Sequence, residues 1–403
     1  MNQHTSDKDD FFAAMGLRPV INAASHASRL GGTRLPQPVI SAMVEASQTF
    51  VPIAEMQARA SELIAEFTGA EAGCVASGAD ACMTLAAAAC MTGDDPAAMD
   101  QLPDTTGLRN EIVMHRAHRN SFDHALRLAG ARLVEFGYVL PYSGVGAYRW
   151  QMEAAFTERT AASFYVGISV ASALDFKTFA EISHSHGVPV IVDAAPTQVP
   201  AENFRRWIEL GADLVACAGG KYIGGPAATG FLAGRRDLVR AATLQQQDAF
   251  VHPDVYAEPF GETGTWAEPP HQGIGRVLKV GREELAGLMA ALRHCGTRDY
   301  AAEARQRTAI SERLAQAIKG RKFEGVTVRA DDPASAITII FAHSRQATRT
   351  VLELQEGTPR VFVLNAFIGQ REITVLPHCV LPEEVAPLEQ RLLESIAAAV
   401  ASV

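Results

Sequence analysis

Apolar residues fall in two rhythms along these 403 residues. Short unbroken apolar runs alternate with longer stretches in which apolar positions recur every three or four. The first rhythm marks a strand buried on both faces, the second an amphipathic helix. After a polar lead-in over 1–15, the pattern predicts a strand at 20–24, a loop at 30–33, and helices over 36–50 and 56–68, the second closed by Gly69. Strand 73–76 with helix 79–91, strand 111–114 with helix 121–129, and strand 132–136 follow. Then come strand 163–168 with helix 175–186, strand 188–192 with helix 203–210, and strand 213–218, which leads through a glycine loop to strand 229–233. This alternation predicts an α/β fold with a mainly parallel sheet covered by helices. Ligands in such sheets collect at the carboxyl ends of the strands.

Beyond residue 273 the rhythm changes. Helical periodicity runs to about 295 and again over 300–318. Strands near 324–330, 336–342, 361–365 and 371–376, with helices over 346–356 and 382–401, predict a smaller α+β domain. The expected division is an N-terminal segment 1–50 packing with the small domain, a large domain 51–290 and a small C-terminal domain 291–403.

Composition narrows the function. Nearly half of the residues are apolar and a fifth are charged, as in a globular enzyme. The net charge of −9, with no cluster of Lys and Arg, argues against a nucleic-acid partner. The longest apolar stretch, Ala81 to Met91, is too short to span a bilayer, and the polar first ten residues do not read as a signal peptide. The six cysteines show no CxxC pair and no zinc spacing, so no metal site is expected and the thiols read as reduced, in a cytoplasmic protein.

The chemistry is concentrated at Cys217-Ala-Gly-Gly-Lys-Tyr-Ile-Gly-Gly-Pro226. Lys221 stands among four glycines just past a buried strand, where the backbone allows a bulky group to approach. The preceding strand, Val188-Pro-Val-Ile-Val192, ends in Asp193-Ala-Ala195. An aspartate at the end of one strand and a lysine just past the next is the layout for pyridoxal phosphate: the lysine forms a Schiff base and the aspartate pairs with the pyridinium nitrogen. The small residues Ala194 and Ala195 leave room for a flat cofactor. Ser77-Gly78-Ala79 lies at a strand-to-helix turn whose backbone N–H groups and helix dipole suit a phosphate. Alone, Ser77 would read as an ordinary N-cap. On the same sheet edge as Asp193 and Lys221, the phosphate cradle is the better reading.

Asn110 to Ser121 places two histidines and two arginines past a strand. His118 is the expected side chain to stack on the pyridine ring. Arg116 or Arg119 is expected to pair with a substrate carboxylate or phosphate, as are Arg360 and Arg371 in the last domain. The breaker-rich segment 264–273, with Gly273, Arg276 and Lys279, is expected to touch an active site across a subunit interface, which makes the protein a homodimer or a higher homo-oligomer.

At these residues the chain resembles the fold-type I pyridoxal-phosphate family that contains selenocysteine synthase, and more closely its branch of D-glucosaminate-6-phosphate ammonia-lyases and class V aminotransferase-like proteins. The resemblance is carried by Val20-Ile-Asn-Ala23, Ala70-Glu-Ala-Gly73 with Ser77-Gly78, Arg116 to Asn120, Val192-Asp-Ala-Ala195, Gly219-Gly-Lys221 with Gly225-Pro226, and Gly273-Ile-Gly-Arg276 with Lys279-Val-Gly281. The chain departs from the family at Ala227, where glutamine is usual, and at Ala218, where serine is frequent. It also has no room for the N-terminal tRNA-binding domain of selenocysteine synthases. The resemblance implies pyridoxal phosphate bound to Lys221 and a lyase acting on a β-hydroxy or sugar amino acid: removal of the α-proton, loss of a β-substituent such as hydroxyl, and release of a keto acid and ammonia. Transamination, racemisation and aldol cleavage share the steps up to proton removal and stay open, as does a cofactor-binding protein without turnover.

Overall fold

The computed structural model describes residues 11–140, 146–170, 172–246, 251–256, 260, 269–331 and 336–401. Among them are twelve strands, numbered along the chain: β1 Val20–Ala23, β2 Ala72–Ala76, β3 Glu111–His115, β4 Arg132–Phe136, β5 Thr160–Val166, β6 Val190–Asp193, β7 Leu214–Ala218, β8 Gly230–Gly234, β9 Val326–Asp331, β10 Ala336–Phe341, β11 Arg360–Val363 and β12 Glu372–Val375. Each falls on a strand predicted from the apolar runs, within a few residues.

The chain divides into two compact units, residues 34–298 and residues 1–33 with 299–403. These boundaries differ from those expected at 50 and 290. Helix Gln37–Gln48 packs on helix Arg282–Cys295, which draws both into the larger unit. The larger unit holds a seven-stranded sheet in the order β2-β8-β7-β6-β5-β3-β4. All neighbours from β7 to β4 run parallel, and β8 is antiparallel to both β2 and β7. The central strands β3, β5 and β6 are buried throughout, as two-sided coverage requires.

Alternate side chains feed two cores, one on each face of the sheet. Cys74, Ile112, Phe164, Ile191, Leu214 and Leu232 point to one; Val75, Val113, Tyr165, Val192, Val215 and Phe231 point to the other. Helix Ala79–Thr92 lies on the first face and is buried on nearly every side. That explains its run of Ala, Cys and Met, since a helix enclosed all round has no use for a polar stripe.

In the smaller unit β1 pairs in parallel with β11, and β9, β10 and β12 form an antiparallel sheet with β10 at its centre. Helices Tyr300–Arg321, Ser344–Glu356 and Val385–Ala401 supply its own apolar core with Ile337, Ile339, Leu354 and Leu392.

Helices Pro96–Gln101 and Arg236–Leu244 were not anticipated. The second follows β8 after one residue, too closely for its periodicity to stand apart from the strand. The helix expected over 273–295 is broken into a 3-10 turn, Ile274–Leu278, and a helix beginning at Arg282. No helix among the described residues is long and apolar enough to cross a membrane.

Candidate active site

Three loops leave the same edge of the large sheet. β2 leads into Ser77–Asp80, β6 ends in Asp193 followed by Ala194 and Ala195, and β7 leads into the Lys221 loop. Their meeting point is Gly230. It is the register partner of both Ala76 and Ala218, so it lies between the first and third loops. A Cβ on Gly230 would sit 2.4 Å from the carbonyl carbon of Gly78 and 2.7 Å from the nitrogen of Ala79. Only a glycine lets the backbone at 78–79 close down on the sheet here.

Helix Ala79–Thr92 begins at Gly78, with φ 101° and ψ 171°, a conformation open to glycine and almost nothing else. No side chain caps this N-terminus. Ser77 is therefore not an N-cap; its own N–H donates to Leu278 O at 3.0 Å and its side chain is exposed. The first-turn N–H groups from Ala79 onward are left without side-chain partners at the carboxyl edge of the sheet. Such a terminus attracts an anion through its N–H groups and its dipole.

The Lys221 loop is rigidly closed rather than loose. Gly219 N–H donates to Thr229 O at 2.8 Å, Gly225 N–H to Gly219 O at 2.9 Å and Gly224 N–H to Lys221 O at 3.1 Å. A Cβ on Gly220 would meet Ala227 Cα at 2.5 Å, so the glycines serve a tight fold-back as well as approach to the lysine. Lys221 is half-buried.

Asp193 is 5 % exposed. Its Oδ1 accepts from Ala195 N–H at 3.0 Å, the one hydrogen bond found for its carboxylate among the described residues. Burial pushes its carboxyl above the usual range, while the Ala195 N–H and the Lys221 ammonium pull it down and Asp80 pushes it up. Asp80, which sequence reading did not single out, thus joins Asp193 and Lys221 in one charged cluster. Its carboxyl is likewise raised by burial and lowered by Lys221. The signal available in the sequence was its place as the one acid directly after Ser77-Gly78-Ala79.

The other expected residues fare differently. His118 is 1 % exposed, edge-on to Tyr165 with ring centroids 4.4 Å apart, and its Nδ1 accepts from Val166 N–H at 3.5 Å. Burial, then the neighbouring His115, lowers its imidazole to about 4, so it is neutral. The ring is enclosed against Tyr165, and its stacking on a cofactor is a proposal. Arg116 and Arg119 both pair with Glu135, and Arg119 also with Asp123, while the Arg116 side chain stays 51 % exposed. Arg360 donates to Gln355 O and lies over the Phe362 ring, and Arg371 donates to Ala342 O; both belong to the smaller unit.

Residues 264–268 of the breaker-rich segment lie outside the described residues. The part that follows has work within its own chain. Gly273 is pressed against Gln245, where a Cβ would meet Oε1 at 2.5 Å, and Leu278 O holds the Ser77 N–H. Gly273 and Leu278 thus also make contacts within their own chain, and the contribution of this segment across an interface is a proposal.

A buried carboxylate, a lysine held in a closed loop and an uncapped helix N-terminus on one sheet edge fit pyridoxal phosphate. Asp193 suits a cationic ring nitrogen, Lys221 an aldehyde, and the turn at Gly78-Ala79 a phosphate.

Comparison with known proteins agrees with this geometry. The Cys/Met metabolism PLP-dependent enzyme family matches residues 56–254. A 5'-C-glycyluridine monooxygenase-decarboxylase of a Streptomyces species is 32 % identical over 402 residues, covering 94 % of this chain and 90 % of the relative. The D-glucosaminate-6-phosphate ammonia lyase of Salmonella typhimurium is 29 % identical over 398 residues, covering 96 % and 97 %. A solved structure of D-glucosaminate-6-phosphate ammonia-lyase superposes with a TM-score of 0.78 at 28 % identity, over 98 % of this chain and 99 % of the other. With the residues above in place, the chain belongs to the fold-type I family of pyridoxal-phosphate-dependent enzymes that includes these ammonia lyases.

Proposed function

We propose that this enzyme is an amino-acid lyase that removes the α-proton and a β-substituent, with Lys221, Asp193 and the turn at Ser77, Gly78 and Ala79 as its cofactor site. The observation that carries the assignment is the clustering of Lys221, Asp80 and Asp193 beside the uncapped start of helix Ala79–Thr92. Bound pyridoxal phosphate supplies an electron-withdrawing pyridinium conjugated to the substrate nitrogen, which acidifies the α-carbon. Asp193, buried and acceptor-only when ionised, holds the ring-nitrogen proton in place by charge. The first-turn N–H groups from Ala79 onward hold the phosphate. Lys221 would anchor the cofactor, and its Nζ would take the α-proton of a bound substrate. A β-hydroxyl leaves as water; hydrolysis of the unsaturated product returns one water and yields a keto acid and ammonia.

The substrate class in this reading is a β-hydroxy or sugar amino acid, the class to which the Salmonella relative's substrate belongs. The same reading makes the protein a cytoplasmic homodimer acting on a small molecule. Its six cysteines are all free thiols, which suits a reducing compartment. The Streptomyces relative, a monooxygenase-decarboxylase, supports a second reaction class, oxidative decarboxylation with dioxygen as the oxidant.

The test is turnover of the purified holoenzyme with D-glucosaminate 6-phosphate and with D- and L-β-hydroxy amino acids, following ammonia, keto acid and dissolved oxygen. Ammonia and keto acid in equal amounts at constant oxygen support the lyase. Oxygen uptake with loss of carbon dioxide replaces it by the second reaction. Formation of a stable amine form of the cofactor after half a reaction replaces it by transamination.

A further inference from the structure

The carboxyl ends of β5 and β6 border a second cleft, within the larger unit, of about 600 Å³. That volume accommodates a small-molecule ligand. Its inner end is Gly167, the first residue past β5. The Gly167 N–H donates to Asp193 O at 2.8 Å, and a Cβ there would meet that oxygen at 2.8 Å and the Trp207 ring at 3.1 Å. The cleft thus abuts the main chain at Asp193, but the Asp193 side chain is not part of its lining.

The walls are apolar and held in place. Trp207, on helix Glu202–Glu209, donates its indole N–H to Thr197 Oγ1 at 3.0 Å and meets Phe176 edge-on, with ring centroids 5.2 Å apart. The Tyr165 hydroxyl donates to Leu174 O at 3.2 Å. Beside them Ile168 leaves 47 % of its surface in water. The lining also carries two exposed cations, Lys177 and Arg206, and neither side chain has a hydrogen-bond or ion-pair partner among the described residues. The one acid of the lining, Asp175, is occupied as the cap of helix Phe176–Ser185, accepting from Thr178 N–H at 3.0 Å.

We propose that this cleft is a second ligand site, for a small aromatic carboxylic acid. The ring lies against Trp207 and Ile168, and the carboxylate is met by Arg206 and Lys177. Fixed apolar walls favour a flat ring, and a guanidinium fork matches a carboxylate. The proposal stands apart from the lyase assignment, because none of Ser77, Gly78, Ala79, Asp193 and Lys221 lines the cleft. The competing account is that Lys177 and Arg206 are ordinary solvated charges over a water-filled cleft.

Trp207 is one of three tryptophans in the chain, which makes the site observable. The holoenzyme is labelled with 5-fluorotryptophan, and Trp207→Phe assigns the Trp207 fluorine signal. Indole-3-acetate and benzoate are titrated in, with indole-3-acetamide and benzamide as their neutral counterparts. Each acid should move the Trp207 signal saturably, with a dissociation constant below about 1 mM for ligands of this size. Each amide should bind about tenfold more weakly, since it lacks the charge that strengthens the hydrogen bonds. Lys177→Gln with Arg206→Gln should weaken the acids about tenfold and leave the amides unchanged. Both side chains are exposed, so the fold is spared, and circular dichroism checks it. Should the double variant unfold, Arg206→Gln alone makes the same comparison. An unmoved Trp207 signal, equal affinity for acid and amide, or undiminished acid binding by the glutamine variant overturns the proposal. An acid that changes the cofactor absorbance and leaves the Trp207 signal in place has entered the cofactor site, and that too overturns it.

Discussion

Gly230 and Gly78 are in backbone contact so close that a single Cβ on Gly230 would fall 2.4 Å from the Gly78 carbonyl carbon. This contact sets the turn that starts helix Ala79–Thr92 beside the strand that leads to Lys221. The proposed phosphate cradle and the start of the lysine loop are thus joined through Gly230.

Gly230→Ala should accordingly push the 77–79 turn off the sheet. Overpacking of this kind costs about 1–3 kcal/mol, and cofactor affinity should fall at least tenfold while secondary structure is kept. Cofactor titration by absorbance, with circular dichroism alongside, checks it. An alanine variant of wild-type affinity would show that the contact does not set the cradle.

Asp193→Asn should bind the cofactor but lose activity by about 100-fold or more, the scale on which removal of a pre-placed charge or proton-holding group acts. The side chain keeps its shape and can still accept from Ala195 N–H, so the fold is spared. Steady-state kinetics with cofactor occupancy measured in the same sample decides it, since near-normal turnover would make Asp193 merely structural.

His118 gives the protein a pH-dependent stability with a definite sign. In the folded protein burial holds its imidazole near 4, whereas the unfolded chain takes up the proton near 6.5. Between those values the unfolded state binds more protons, so stability falls as pH drops from 6.5 towards 4 and is fully present above 6.5. The group alone contributes about 3 kcal/mol over that window. His378, lowered to about 4 by burial, acts in the same direction. Urea unfolding of wild type and His118→Asn at pH 7 and pH 4.5 should show a smaller acid loss in the variant; equal losses would mean that His118 titrates normally in the fold.

Much of this organisation was readable from residue order alone. The strands stand out because a strand buried on both faces must be an unbroken apolar run, as in Ala72–Ala76 and Val190–Asp193. Lys221 stands out through its glycines. The roles of Arg116 and Arg119 were not readable, because their partner Glu135 lies on the neighbouring strand β4, and pairing across a sheet leaves no local mark. Asp80 was hidden for the same reason: the lysine whose charge lowers its carboxyl lies in a separate loop of the chain. His118 reads from the sequence as the side chain that stacks on the cofactor ring; its enclosure against Tyr165 is a matter of tertiary packing that periodicity does not report.

The larger unit exposes Ile40 and Val44 along helix Gln37–Gln48, and Phe50, Val51 and Ile53 just beyond it, with Phe50 92 % exposed. Apolar side chains exposed in this number suit an interface, and the proposed homodimer is placed there. Sedimentation velocity at micromolar concentration should give a homodimer, and Val44→Glu with Phe50→Asp should shift it towards monomer. A fully active wild-type monomer would refute the dimer and any site shared across it.

The central claim is that Lys221 carries the cofactor. Borohydride reduction of the holoenzyme, followed by peptide mass spectrometry, tests it directly. The account predicts one adduct, on the peptide containing Lys221, and no adduct in a folded Lys221→Ala variant. A reduced cofactor on another lysine, or undiminished labelling of the variant, would contradict it.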